Sequence, residues 1–398
     1  MSALAILETH PVQYHAPVWR RAAESEGVPL HVIYGGDFSV RGYEDREFGT
    51  SFQWEADLLA GYSHEVLQPA SADYESVTAV GVEAALDRMK PAAVLALGYH
   101  HPLDRAALSW AMKRKIPLLF RGETSDAPHS KRRWWRALLR DVMLRRLYRH
   151  CSACLYLGER SLQHYKRLGV EEERLIHSPY CVDTSAFQVD DAARDALRPL
   201  TRKQAGIADD AWVVLFSGKL SRRKGVHLLL ETLKSLPEDL RRRVHLVYVG
   251  SGEQRQELEA AFAHAPDLRC HFAGFVNQSG LSAWYHAADV LVLPSLELET
   301  WGLVVNDALH HGVPAVVSDA VGCAPDLIAS WRTGEVCQAG NAGALAYALE
   351  RCASWSVQDP AATRRHCREL AGRYTITQAA AGVREAWLMT GGRVPSRE

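Results

Sequence analysis

Short apolar runs alternate along the chain with longer stretches in which apolar residues recur every three or four positions. In the first half, residues 4–7, 30–34, 93–97, 117–120, 154–157 and 175–177 read as buried strands. Helical periodicity lies between them, over 16–26, 82–88 and 103–113. The second half repeats the scheme, with strand runs at 213–217, 244–250, 290–294 and 315–318 and amphipathic stretches at 227–235 and 253–263. Strand–helix alternation of this kind predicts βαβ units and parallel sheets. The polar stretch 183–206 carries no apolar period and reads as a linker. The expected fold class is therefore α/β, with two Rossmann-like, doubly wound parallel-sheet domains facing a cleft. The boundaries predicted are 1–190 and 191–374. A final amphipathic helix over 375–389 either ends the second domain or crosses back to the first, and residues 391–398 read as a disordered tail.

Bulk properties narrow the class. A chain of 398 residues exceeds what one core usually fills, which agrees with two domains. Hydrophobic residues at 47% and charged residues at 23% are an ordinary globular balance. A net charge of -1 provides no global attraction to nucleic acid, so none is expected as a partner. The opening residues lack a basic start and reach Glu8 early, unlike a secretory signal, and no apolar run approaches a membrane span. A cytoplasmic protein is the expectation. The cysteines are scattered, and Cys151-x-x-Cys154 has no second pair at zinc spacing, so both are read as buried structural thiols.

Three strand-to-loop junctions carry candidate chemistry. In Pro294-Ser295-Leu296-Glu297-Leu298-Glu299-Thr300-Trp301-Gly302-Leu303-Val304, a buried strand runs into a polar loop and Gly302 opens a helix. A helix N-terminus presents backbone N–H groups and partial positive charge, which suits a diphosphate. Glu299 precedes the helix and Asp307 lies about one and a half turns inside it. The two carboxylates are placed to accept hydrogen bonds from sugar or ribose hydroxyls. Acids near a helix start also favour the dipole with no ligand at all. In Gly218-Lys219-Leu220-Ser221-Arg222-Arg223-Lys224-Gly225, four cations with flanking glycines are suited to neutralising a pyrophosphate without metal, although a solvated charge run would look the same. Gly250-Ser251-Gly252, after a neighbouring strand, fits a nucleotide wall.

In this order these residues resemble the retaining glycosyltransferases of the large family 4 (group 1), with the GT-B fold. The resemblance is strongest over 213–339. The family's paired acids eight positions apart look like Glu299 and Asp307, with Asp where Glu is usual. Its glycine-basic loop looks like Gly218-Lys219 through Arg223-Lys224-Gly225, with Lys219 where Arg is usual. Phe275 follows the strand that resembles the family's cover over the nucleoside base. The resemblance implies transfer of a hexose from a nucleotide-diphosphate sugar, with retention, to a glycan or lipid-linked acceptor. It implies that Glu299 contacts sugar hydroxyls, Asp307 the ribose, and Lys219 and Lys224 the diphosphate, aided by the backbone near Leu303 and Val304. No metal or other cofactor is expected, and no Asp-x-Asp motif is present.

The first half departs more from that pattern. Where relatives often have a Gly-Gly loop, this chain has Glu8-Thr9-His10-Pro11-Val12-Gln13-Tyr14-His15, so Gln13 and His15 are the acceptor-side candidates there. At another polar strand end, Gly98-Tyr99-His100-His101, the resemblance implies a histidine facing the reaction centre, His100 ahead of His101. Arg121 and Glu123 end a further strand on the acceptor side. Residues 129–150 combine eight Lys and Arg with Trp134 and Trp135 and a single acid, Asp141. That composition suits an anionic membrane surface, and equally a domain helix with a solvated basic face. Two other functions remain open at this stage: a non-catalytic sugar-nucleotide-binding partner of another transferase, and a sugar phosphorylase or epimerase.

Overall fold

The computed structural model of the protein describes residues 3–41, 43–45, 50–52, 57–69, 71–126, 134–297 and 299–394. They form two compact units. Among the described residues the first contains those up to Asp45, Ser51–Cys181 and the chain from Thr375; the second contains Thr50 and Val182–Tyr374.

The first unit is built on a parallel sheet. Its strands in chain order are Leu4–Glu8 (β1), Leu30–Tyr34 (β2), Ser63–Val66, Ala93–Ala96, Leu118–Phe120, Cys151–Tyr156 and Leu175–His177. Between β2 and Ser63–Val66, two short segments, Tyr43–Asp45 (β3) and Thr50–Phe52 (β4), pair as a separate two-stranded sheet. The remaining strands are thus β5 to β9, and the spatial order is β5-β2-β1-β6-β7-β8-β9. Every residue of β1 is buried, because helices cover both faces of a parallel sheet. The edge strand β5 (Ser-His-Glu-Val) has no apolar run, which is why it is invisible to a pattern search. Cys151 and Cys154 are free, buried thiols in β8.

The second unit repeats the architecture with Trp212–Ser217 (β10), Val244–Val249 (β11), Arg269–Gly274 (β12), Val290–Leu293 (β13), Ala315–Ser318 (β14) and Gly334–Cys337 (β15). All pairings are parallel and the order is β12-β11-β10-β13-β14-β15. In both sheets the order reverses beside a central strand, β1 or β10. Crevices for ligands in such sheets lie at the carboxyl ends of the strands.

One segment differs from the sequence reading, and another takes one of its two alternatives. Residues 183–206 are not an irregular linker: Asp191–Gln204 is a helix, capped by the Asp190 side chain on the Ala193 N–H at 2.7 Å. It lacks an apolar stripe because it docks through arginines. Arg198 and Arg202 bind the two oxygens of Asp289, at 2.5 and 2.7 Å, and backbone carbonyls at 287–288. Just before it, Gln188 hydrogen-bonds Ser282 and His286, so residues 182–190 pack with the second unit. At the other end of the chain, the helix Ile376–Met389 lies in the first unit against the helix Ala16–Glu24 and strands β8 and β9. Gly382 permits this contact, since a Cβ there would stand 2.2 Å from the His177 carbonyl oxygen. Val394, after this helix, packs on the core beside Gly27, and residues 395–398 of the expected tail lie outside the described residues.

Candidate functional site

The carboxyl end of the second sheet gathers the candidate donor residues. Beyond β10 the chain turns through Gly218 (φ 142°) into a short 3-10 turn, Arg222–Lys224, closed by Gly225 at φ 70°. Glycine is required at both ends of this loop's neighbourhood. A Cβ on Gly225 would stand 2.2 Å from the Pro294 carbonyl oxygen, and one on Gly250 would stand 1.9 Å from the Gly218 carbonyl oxygen. The loop after β10 is thus pressed against the ends of β11 and β13, and Arg223 accepts a backbone bond from Leu296 at 2.9 Å. That contact brings the basic loop onto the loop carrying Glu299. The Lys224 ammonium donates to the Glu299 carboxylate, which also receives Ser295 Oγ at 3.3 Å and has Arg223 at 3.8 Å. Lys224 and Glu299 are each mostly enclosed, with 14% of their side-chain surface exposed. Lys219 is half-buried in the same loop.

Gly302 caps the helix Leu303–His310 in the left-handed region at φ 96°, so Leu303 and Val304 form its first turn. Asp307 projects from the second turn into the protein. Its carboxyl is nearly buried, and Tyr285 Oη donates to it at 3.4 Å. Burial without a cation raises its pKa to about 7, a shift that the Tyr285 hydrogen bond only partly opposes. The two acids therefore have opposite environments: Glu299 is paired with cations, Asp307 with a phenol. Phe275 follows β12 and is exposed.

In the first unit, the carboxyl ends of β1, β6 and β7 line a cavity of about 340 Å³. Glu8 ends the buried β1 and receives His15 Nδ1 at 2.5 Å and Trp19 Nε1 at 3.0 Å. His15 Nδ1 is turned to Glu8, and its Nε2 is buried and without a hydrogen-bond partner among the described residues. Glu123 lines the same cavity with a pKa raised by burial, which His15 and Arg121 oppose. Asp104 lines it too, and burial pushes its carboxyl to about 7.

The other candidates of this half take varied positions. His100 lines the cavity, is exposed, and lies against the Tyr99 ring at 3.9 Å. His101 lines it as well but caps the helix Pro102–Arg114, its Nδ1 accepting the Leu103 N–H at 3.2 Å. Arg121 is almost fully buried and ties β7 to the segment after β9 through Ser178 Oγ (3.0 Å) and the Pro179 carbonyl (3.2 Å). Gln13 is half-buried and is not among the lining residues. Glu8, Tyr14 and Asp104 were missed by the sequence reading. The one available signal was an acid, Glu8, closing an otherwise apolar strand.

The basic segment forms the helix Trp134–His150; residues 129–133 lie outside the described ones. Arg140, Leu144 and Tyr148 face inward, and Arg140 is a buried neighbour of Asp126 and Asp141 rather than a surface cation. Trp134, Trp135, Leu138, Leu139, Val142 and Met143 are exposed, Trp134 to 77%. The exposed arginines 145, 146 and 149 occupy the last two turns. A helix that only completed a core would bury these apolar side chains. No helix among the described residues is long and apolar enough to cross a membrane.

Comparison with known proteins agrees with the location of these features. Residues 198–369 match the family model of the glycosyl transferases group 1. An uncharacterized glycosyltransferase of Methanocaldococcus jannaschii is 32% identical over 160 residues, 40% of each chain. The lipopolysaccharide 1,2-N-acetylglucosaminetransferase of Salmonella typhimurium is 32% identical over 157 residues, 37% of this chain and 40% of that one. The aligned part thus spans about 40% of the length of these curated relatives. Among solved structures, HepE of Anabaena in complex with UDP-glucose superposes with a TM-score of 0.65 at 18% identity, covering 96% of this chain and 99% of that one. The fold is the two-unit GT-B fold.

Proposed function

We propose, from the match of residues 198–369 to the family model of the glycosyl transferases group 1, that the protein transfers a hexosyl group from a nucleotide-diphosphate sugar to a glycan or lipid-linked acceptor, with retention at the anomeric carbon. The observation that carries this reading is the Lys224–Glu299 contact. It puts a cation for the diphosphate and a carboxylate for the sugar side by side at the carboxyl ends of β10 and β13. The half-buried Lys219 adds charge, and the Gly302-capped helix points its first turn, Leu303 and Val304, into the same loop cluster. Asp307 takes the ribose hydroxyls. UDP is the first nucleotide to test, since HepE binds UDP-glucose.

In this proposal the acceptor hydroxyl oxygen bonds to the anomeric carbon as the bond from that carbon to the diphosphate breaks. The hydroxyl proton leaves with the nucleoside diphosphate. Retention follows if attack comes from the face the diphosphate vacates. Glu299 stabilises positive character on the sugar. The acceptor enters the first unit's cavity, where His15, Glu123 and His100 offer hydrogen-bond partners for hydroxyl groups. The exposed apolar and basic surface of Trp134–His150 supports docking on an anionic membrane surface, where a lipid-linked acceptor would reside.

The test is a thermal-shift panel of UDP, GDP, ADP and dTDP sugars followed by assay of nucleotide release with acceptors. A bound donor raises the melting temperature by mass action. Stabilisation by one nucleotide class, lost in Lys224→Ala, supports the reading. Stabilisation by none of them overturns it.

A further inference from the structure

The lining of the first unit's cavity is uneven. One side is aromatic. Tyr74 lines it from the loop after β5, and 48% of that residue's surface stays exposed. Two rings flank it: His101, with centroids 4.8 Å apart and planes tilted by 58°, and His10, edge-on at 6.4 Å. The His101 ring also bonds the Tyr74 backbone. The turn itself is closed by the Ser76 N–H, which donates to Asp73 Oδ1 at 2.9 Å, and Val77 then enters the core. Tyr74 is thus an open ring on a loop held from both sides. The donor reading makes no use of it.

The other side is acidic. Glu123, just beyond β7, lines the cavity and is exposed. Asp104 lies beside Gly98, where a Cβ would stand 2.4 Å from its Oδ2. Burial raises the pKa of the Tyr74 phenol, and the charges of Asp104 and Glu123 add to that shift, so the ring and both acids address one space. Cations are scarce there. Arg121 is the one Lys or Arg among the described lining residues, and it is 2% exposed. Its guanidinium is spent on Ser178 and the Pro179 carbonyl. His15 is turned to Glu8, and burial lowers the pKa of both His10 and His101.

We propose that Tyr74 is the stacking platform for the acceptor, and that the group seated on it is a sugar ring bearing no phosphate or carboxylate. This rests on the reading of the cavity as the acceptor's place. The C–H bonds on one face of a pyranose form an apolar patch with partial positive charge, which pairs with the negative face of a phenol ring. The ring hydroxyls donate to the carboxyl oxygens of Glu123 and Asp104. A phosphate or carboxylate in their place would face those acids with no open guanidinium to pair it, and an unpaired charge in an enclosed site is costly. A volume of about 340 Å³ is at the small end of ligand pockets, which run to roughly 300–1,000 Å³, and suits one ring rather than a chain of them.

The experiment is saturation-transfer NMR titration of the full-length protein with the methyl glycosides of glucose, galactose, mannose and N-acetylglucosamine, and with the 6-phosphates of the same sugars. The titrations are repeated on Tyr74→Ala and Tyr74→Phe, with circular dichroism to check folding, and UDP affinity is measured separately by calorimetry. At least one glycoside should bind. Tyr74→Ala should weaken it by about fivefold to tenfold, the worth of one aromatic contact, whereas Tyr74→Phe keeps the ring and should stay within about twofold of the wild type. The corresponding 6-phosphate should bind more weakly than its parent. Binding of no glycoside, glycoside affinity unaltered in Tyr74→Ala, or a 6-phosphate bound as tightly as its parent overturns the proposal. The two readings fail separately. UDP binding without glycoside binding sinks this proposal and leaves the donor reading standing; Tyr74-dependent glycoside binding by a protein that takes no nucleotide does the reverse.

Discussion

Asp307→Asn tests the physical state of the donor unit most directly. The Asp307 carboxyl is buried, its one side-chain donor among the described residues is Tyr285 Oη at 3.4 Å, and its pKa stands at about 7 against an ordinary 3.8. The native chain therefore holds this proton over a range in which the unfolded chain has released it. The contribution of Asp307 to native stability is greatest below pH 4, falls as pH rises from about 4 to about 7, and levels off above, where both states are ionised. Taken at face value, the difference corresponds to about 4 kcal/mol, an upper bound because a buried site relaxes and admits water. Asparagine keeps the size and can accept from Tyr285, but never ionises. Urea unfolding from pH 4 to 8 should show the variant gaining on the wild type with rising pH, by about 2–4 kcal/mol across the window. Asp104, with a similar shift, contributes to both curves and cancels in the difference. Donor binding should move the opposite way. Ribose hydroxyls donate to the ionised carboxylate, so wild-type donor affinity should rise through pH 7 while that of the variant stays flat. Parallel stability curves for the two proteins would refute the claim that Asp307 is a strained, buried acid.

Other expectations are as direct. Lys224→Ala should lose about 2–4 kcal/mol of transition-state stabilisation, read from kcat/KM, as for one electrostatic donor. Glu299→Gln should depress kcat, whereas Asp307→Asn should chiefly raise the donor KM at neutral pH, because an interaction equal in ground and transition states leaves turnover alone; the reverse pattern would invert the two assignments. His15→Phe strands the buried Glu8 carboxylate with only the Trp19 N–H, and chemical denaturation should register a loss of about 3–5 kcal/mol. Trp134→Ser with Leu139→Ser should reduce sedimentation with anionic liposomes, and added salt should weaken what remains; equal recovery with neutral and anionic vesicles would remove the membrane assignment.

The parts of this protein legible in its sequence are those whose physics is local. Strands such as β1, β10 and β13 are buried on both faces, so they appear as unbroken apolar runs. Gly218, Gly225 and Gly302 mark the donor loops because left-handed turns and close backbone contacts leave a one-residue trace. The acids eight positions apart were visible too, but not their difference in charge state, which depends on Lys224 reaching Glu299 and on Tyr285, 22 positions away, enclosing Asp307. The helix Asp191–Gln204 escaped notice because its anchors are arginines whose partner, Asp289, lies far along the chain. The return of Ile376–Met389 to the first unit needed a glycine matched to the His177 carbonyl, two positions with no sequence relation. Glu8 and His15 form a pair only because β1 ends where the next helix begins to cross it. A residue's conformation and burial are set largely by its neighbours in sequence; its charge, its partner and its role are set by groups that the fold alone brings within 3 to 4 Å, where electrostatic and hydrogen-bond energies are decided.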